Sequence, residues 1–159
     1  MEKKIITSIM VLIVAATAAL VFGKIYANYK FNEKIVTANE SFKDAKSEDK
    51  KIEILKAWIK NKEIKNLRFG SDYFEVSKKY QESINLMQEY FYKEYLKEIE
   101  SCSVHVFDVT KDELITAINE LYSVQDKIKK NSSCTLEKTA REYLENYISV
   151  SIDSYSHRY

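Results

Sequence analysis

Hydrophobic and polar positions along this chain change character once, near residue 23. Up to that point they form a block. Ile5 to Phe22 carries no charged side chain, with Lys3 and Lys4 before it and Lys24 after it. At about 1.5 Å of helical rise per residue, a run of this length spans about 27 Å, close to the hydrocarbon thickness of a bilayer. Beyond it, apolar residues recur every three or four positions almost to the end of the chain. That is the pattern of helices that each bury one stripe.

Phe31, Ile35, Ala38, Phe42 and Ala45 carry the first helix on to about residue 45. Ser47 predicts an N-cap, and Glu48 and Asp49 suit the positive end of a helix dipole. Ile52, Leu55, Trp58 and Ile59 then give the buried side of a second helix ending between Asn66 and Gly70. Asp72 with Glu75 reads as a variant capping box for a third helix that runs to about residue 100. Thr110 with Glu113 is a fuller capping box. It opens a fourth helix with Leu114, Ile118, Leu121, Val124 and Ile128 on one side, closed by Lys127, Lys129 and Lys130 against the negative dipole end. Ser133 predicts the cap of a fifth helix, with Leu136, Ala140, Tyr143, Tyr147 and Val150 as its stripe, and the last nine residues are expected to fray.

These elements predict an all-α protein. An N-terminal single-pass transmembrane helix (residues 1–23) continues into a four- to five-helix extracytoplasmic bundle (residues 24–159). Composition supports long helices: the chain has no proline, and Gly23 and Gly70 are its only glycines. The net charge of +1 gives no overall pull toward nucleic acid, and none is expected as a partner. The 31% of charged residues, both signs intermixed, suit solvated helix faces.

Two readings of the first segment compete. A cleaved signal peptide would use Ala16-Thr17-Ala18, leaving Leu20, Val21 and Phe22 at a new terminus, or would cut after Ala27 with bulky Ile25 at a critical position. An uncleaved signal-anchor avoids both difficulties and is the preferred expectation. Lysines are nearly balanced across the span, so they do not fix its orientation. The short leading tail favours an N-terminus inside the cytoplasm and the C-terminal domain outside it.

Tyr90, Phe91, Tyr92 and Tyr95 crowd four aromatics into six positions. At about 100° per residue, Tyr73, Val76, Tyr80, Ile84, Met87, Phe91 and Tyr95 share a stripe, Tyr90 and Tyr92 flank it, and Leu96 points away. Either this helix is central and touches neighbours on both flanks, or Tyr92 and Leu96 belong to an exposed contact patch.

Candidate chemistry is sparse. Cys102 and Cys134 are a candidate disulfide outside the cytoplasm, closing a loop worth about 3 to 4 kcal/mol. That bridge requires residues 103 to 109 to run extended so that the fourth helix lies parallel to the third. Otherwise the thiols are unpaired or bridge two chains. Cys102 and His105 have ligand spacing, but with Cys134 and His157 they match no common zinc pattern. Asn39-Glu-Ser41 and Asn131-Ser-Ser133 match the glycosylation acceptor pattern. No catalytic, cofactor or metal residues are assigned, and an enzyme is not expected.

The expected function is that of a membrane-anchored interaction or scaffold protein, held in lipid by Ile5 to Phe22. Its partner would be another membrane or envelope protein, or a second copy. The candidate surface is Tyr92 with Leu96, or Tyr26, Tyr29 and Phe31 on the membrane-proximal helix. The alternatives are a secreted helical effector, inhibitor or immunity protein, and a ligand-sensing domain with a pocket edged by Tyr80 and Tyr143.

Overall fold

A computed structural model describes residues 2–61, 71–104 and 109–158. Every regular element among them is an α-helix: α1 (Glu2–Asp44), α2 (Glu48–Ile59), α3 (Ser71–Ser101), α4 (Lys111–Thr135) and α5 (Lys138–Ser156). The 43 residues of α1 run without a break for about 65 Å. Along its apolar run the large described side chains lie open: Met10, Leu12, Ile13, Val14, Leu20, Val21 and Phe22 are all at least half exposed. This helix is long and apolar enough to cross a membrane. From Phe31 onward it joins the bundle, with Ile35 and Phe42 buried and Phe31 and Ala38 packed against the core.

The local signals work much as their chemistry requires. Ser47 caps α2 by accepting a hydrogen bond from the Lys50 N–H at 3.3 Å. Thr110 and Glu113 close a reciprocal capping box on α4, with Thr110 N–H donating to Glu113 Oε2 at 2.8 Å. α1 turns into α2 over only three residues, so the two helices form an antiparallel pair.

α3 is the central helix. Asn32, Asn39 and Phe42 of α1 meet Lys79, Ser83 and Phe91 in ascending order, so α1 and α3 are parallel. Trp58 of α2 meets Tyr80 and Ser83 while Glu48 meets Tyr95, so α2 descends. α4 also descends: its Lys127 meets Glu98, and the Cys134 carbonyl accepts from Gln88 at 3.0 Å. α5 rises again, with Tyr143 beside Tyr92 and the Tyr155 hydroxyl accepting from the Val104 N–H at 3.2 Å. Val76, Tyr80, Ile84, Met87, Phe91, Tyr95 and Ile99 of α3 are buried among these neighbours, as the stripe predicts. Tyr73 has a side chain outside the described residues.

Several boundaries differ from expectation. α2 stops at Ile59, with the Lys60 N–H bonded back to Lys56, and the stretch from Asn66 to Gly70 lies outside the described residues. α3 opens at Ser71, which puts Asp72 inside its first turn instead of at a cap. Ser133 caps nothing. α4 continues through it to Thr135 because Cys134, Thr135 and Leu136 are all buried, and the Thr135 hydroxyl bonds back to the Asn131 carbonyl at 3.0 Å. Lys127, Lys129 and Lys130 therefore stand short of the last turn. The tail does not fray either: α5 stays helical to Ser156 because Ile152 and Tyr155 are buried. The buried stripe of α5 is Leu144, Ile148, Ile152 and Tyr155, one position away from the expected one, and Tyr143 and Val150 face solvent.

This shift has a measurable consequence. Ile148→Ala is expected to cost about 2 to 5 kcal/mol, whereas Val150→Ala stays within about 0.5 kcal/mol. Denaturant titration of the full chain in detergent, followed by helical circular dichroism, checks both. A larger loss at Val150 would restore the original stripe.

Candidate functional site

Two aromatic clusters and one charged cluster stand out. The first aromatic cluster is interior. Phe42, Tyr90 and Phe91 meet edge-on with centroids 5.4 to 5.8 Å apart. The Lys51 ammonium lies 4.7 Å from the Phe42 ring centre and 4.5 Å from that of Tyr90, and donates to the Phe42 carbonyl at 2.8 Å. That carbonyl belongs to the last turn of α1, so Lys51 caps the negative end of the long helix.

The charged cluster ties three helices. Lys127 of α4 sits 2.6 Å from Glu48 of α2 and 2.6 Å from Glu98 of α3, with the Tyr95 ring beneath it. Burial opposes its charge, but the hydrogen bonds and negative charges of the two carboxylates prevail and raise its pKa.

The second aromatic cluster faces outward. The α4–α5 turn at Leu136 and Glu137 lies level with Gln88 of α3, so α3 continues toward its own N-terminus uncovered by that hairpin. The step leaves an open groove of about 460 Å³ lined by Asn85, Gln88, Glu89, Tyr92, Leu136 and Tyr143, among others. Tyr92 and Tyr143 border it as an aromatic rail with ring centroids 6.4 Å apart, and Tyr147, outside the groove, continues the row 6.3 Å beyond Tyr143.

The expected surface residues divide accordingly. Tyr92 is half-buried and borders the groove; Leu96 is half-buried against the core. Tyr26 and Tyr29 are exposed at 61% and 68%, whereas Phe31 already packs on the bundle. Tyr143, expected in the buried stripe of its helix and at the edge of a pocket with Tyr80, stands instead beside Tyr92 on the groove. The signal that separates it is the purely aliphatic run Leu144, Ile148 and Ile152 one position on, which has the stronger claim to burial.

A pocket edged by Tyr80 and Tyr143 does not form. Tyr80 is buried and donates to the Trp58 carbonyl at 2.6 Å. Tyr143 stands beside Tyr92, twelve residues and about 18 Å farther along α3. The disulfide is also corrected: Cys102 and Cys134 are free, buried thiols. α4 is antiparallel to α3, so Cys134 lies beside Gln88 while Cys102 lies about 21 Å farther up the helix. A bridge requires Cα atoms within about 7 Å. At 6% and 7% exposure neither thiol is presented to a second chain.

Among the described residues no three His, Cys, Asp or Glu side chains converge as metal ligands. His105 lies outside those residues. His157, at the end of α5, places Nδ1 2.7 Å from the Asp153 carbonyl. Both glycosylation-type asparagines sit in helices rather than loops, and Asn39 accepts a hydrogen bond from the buried Ser83 hydroxyl.

Burial raises the pKa values of the Tyr80, Tyr90 and Tyr95 phenols and the Cys102 and Cys134 thiols. Each acid therefore loses its proton at lower pH in the unfolded chain than in the folded one. These groups leave stability unchanged below the ordinary thiol value of about 8.5 and reduce it above that. Lys127 acts in the same window, since its raised pKa contributes stability below the ordinary lysine value of about 10.4 and loses it as pH rises through the folded one. The denaturation midpoint should fall progressively above about pH 8.5, and a midpoint that rises there would contradict this linkage. Lys127→Met should cost about 1 kcal/mol at neutral pH, a value held down by solvent screening of partly exposed partners. Compared with protein-family models, with curated proteins and with solved structures, the chain matches none.

Proposed function

We propose that this chain is a non-enzymatic, membrane-anchored interaction or scaffold protein. Residues 1–23 form the anchor, with its N-terminus in the cytoplasm, and residues 24–159 form a helical domain outside it. The carrying observation is the continuity of α1. One helix holds an apolar run, its large described side chains from Met10 to Phe22 exposed, and, without a break, the stripe that builds the bundle. An uncovered apolar run of this length is stable in lipid and unstable in water.

The partner is another membrane or envelope protein, received by the groove between α3 and the start of α5. Its aromatic rail, with polar Asn85, Gln88 and Glu89 beside it, matches the mix of rings and hydrogen-bonding groups that helix-in-groove recognition uses. Tyr143 is the residue that would carry most of the contact, because it is exposed and projects large area at low entropic cost.

A specific observation also supports a secreted form. The packed stripe of α1 begins at Phe31, so cleavage after Ala18 or Ala27 would leave the described apolar core whole. Such a product would act as a soluble effector, inhibitor or immunity factor.

Fractionation separates the two. The anchored form stays with membranes through alkaline wash, leaves them with detergent and keeps its full mass; release as a shortened polypeptide would reject the anchor. A reporter fused to the C-terminus should be active only outside the cytoplasm. Tyr143→Glu should leave the denaturation midpoint within about 0.5 kcal/mol of wild type and abolish co-purification of the partner. Unchanged recovery of that partner would rule out the groove.

A further inference from the structure

The near end of the bundle carries an exposed phenylalanine that the groove does not use. Phe74, in the first turn of α3, is 76% exposed. α1 and α3 are parallel, so its height along α1 follows from their contacts. Asn32 pairs with Lys79, and Asn39 pairs with Ser83. Five residues below Lys79 corresponds to Ala27, and nine below Ser83 corresponds to Lys30. The Phe42–Phe91 contact, seventeen residues above Phe74, corresponds to Ile25, so Phe74 stands within about one turn of both Tyr26 and Tyr29.

Tyr26 and Tyr29 face the other way. At about 100° per residue, Phe22, Tyr26 and Tyr29 form one face of α1, about half a turn from Phe31, Ile35, Ala38 and Phe42, which meet the bundle. The aromatic groups thus share a height and not a face. A single partner helix covers one face of α1 and leaves the other bare. A planar layer covers both at once.

That height is the border of the apolar run. Residues 25 to 30 lie about 4 to 12 Å beyond Phe22. The headgroup layer on each side of a bilayer is about 5 to 8 Å thick. An ordinary helix tilt of about 20° toward α3, whose axis stands about 9 Å from α1, lowers Phe74 by about 3 Å. Its ring then reaches the headgroups. Tyrosine rings favour this zone, phenylalanine is among the residues that interfacial helices bury at the headgroup boundary, and Lys30, whose ammonium sits 5.1 Å over the Tyr26 ring, suits its charged border.

We propose that the near end of the bundle rests in the lipid headgroup layer, with Phe74 on one side of α1 and Tyr26 and Tyr29 on the other. The proposal rests on the membrane-anchored reading and goes beyond it: the domain lies against the bilayer surface instead of standing clear of it on a bare helical stalk. It also assigns Tyr26 and Tyr29 to lipid rather than to a protein partner.

The test uses the full chain in vesicles of phosphatidylcholine and phosphatidylglycerol, some bearing a nitroxide in the headgroup or acyl chain. An environment-sensitive fluorophore is placed at Leu12→Cys, Tyr29→Cys, Phe74→Cys and Val150→Cys in turn. Wild type, whose two thiols are buried, is the blank. The Phe74 probe should be quenched by headgroup nitroxide to within about twofold of the Tyr29 probe, and the Val150 probe should not respond. Lys78→Cys, one turn higher on α3, repeats the measurement with Phe74 in place and should be quenched less than the Phe74 probe but more than the Val150 probe.

If the Leu12 probe is quenched by acyl-chain nitroxide while the Phe74 and Lys78 probes behave like Val150, the bundle stands off the bilayer and this inference fails alone. If the Phe74 probe is shielded from both lipid nitroxide and aqueous iodide, a protein covers it and the inference fails in favour of a partner. If the Leu12 probe is not quenched, the anchor itself fails.

Discussion

Phe42 ends the packed stripe of α1 and meets Phe91 and Tyr90 edge-on beneath the Lys51 ammonium. The rest of the molecule depends on this junction, because it is where a helix with an uncovered apolar half becomes part of a folded core. A buried lysine is ordinarily costly. Here two ring faces and the terminal carbonyl of α1 present partial negative charge to it, so the cation and the helix end stabilise each other. One side chain from α2 thereby fixes where α1 stops and how the first hairpin closes. Above the junction, Tyr95 and the Lys127 pair with Glu48 and Glu98 extend the same fastening to α4.

Most of this was legible in the chain because it follows from periodicity and capping, both local properties. The α3 stripe from Val76 to Tyr95 and the caps at Ser47 and Thr110 needed no knowledge of neighbours. The failures share a cause. Reading Tyr143 and Tyr147 as apolar moved the α5 stripe by one position, although a tyrosine at a bundle edge satisfies its hydroxyl in water. Ser133 resembles a cap, yet burial of Cys134 to Leu136 outweighs a serine's preference. The cysteine pairing depended on whether α4 runs parallel or antiparallel to α3. That is a tertiary fact, expressed in Gln88 meeting Cys134 and in nothing local.

The antiparallel course of α4 has a second effect. It ends the α4–α5 hairpin level with Gln88, well short of the start of α3. Among the described residues the lower part of the bundle is α1, α2 and α3, and the groove opens between α3 and the start of α5 at the level where the hairpin stops. The candidate surface is therefore produced by helix lengths and not by a special sequence motif. This explains why the sequence pointed to Tyr92 as a contact residue but paired it with Leu96 and not with Tyr143. Leu96, which sequence reading grouped with Tyr92, lies a turn farther up and is drawn against the core.

Continuity of α1 constrains how such a surface works. A Gly- or Pro-rich linker would let an anchored domain tumble, so that a partner would have to select one orientation from many. Among the described residues α1 contains a single glycine, Gly23, and a Cβ built there meets nothing within 4 Å. Packing within the chain therefore does not require glycine at that position. Its effect is to weaken the helix by about 1 kcal/mol relative to alanine, at the border where the apolar run ends. That leaves a locally softened but continuous helix. Under the anchored reading, rotation of α1 in the bilayer sets the bearing of the groove, and contact of Phe74 with the headgroups sets its tilt. The two together leave little orientational entropy for a membrane partner to overcome, so a modest aromatic rail suffices for recognition where a freely tethered domain would need a larger interface.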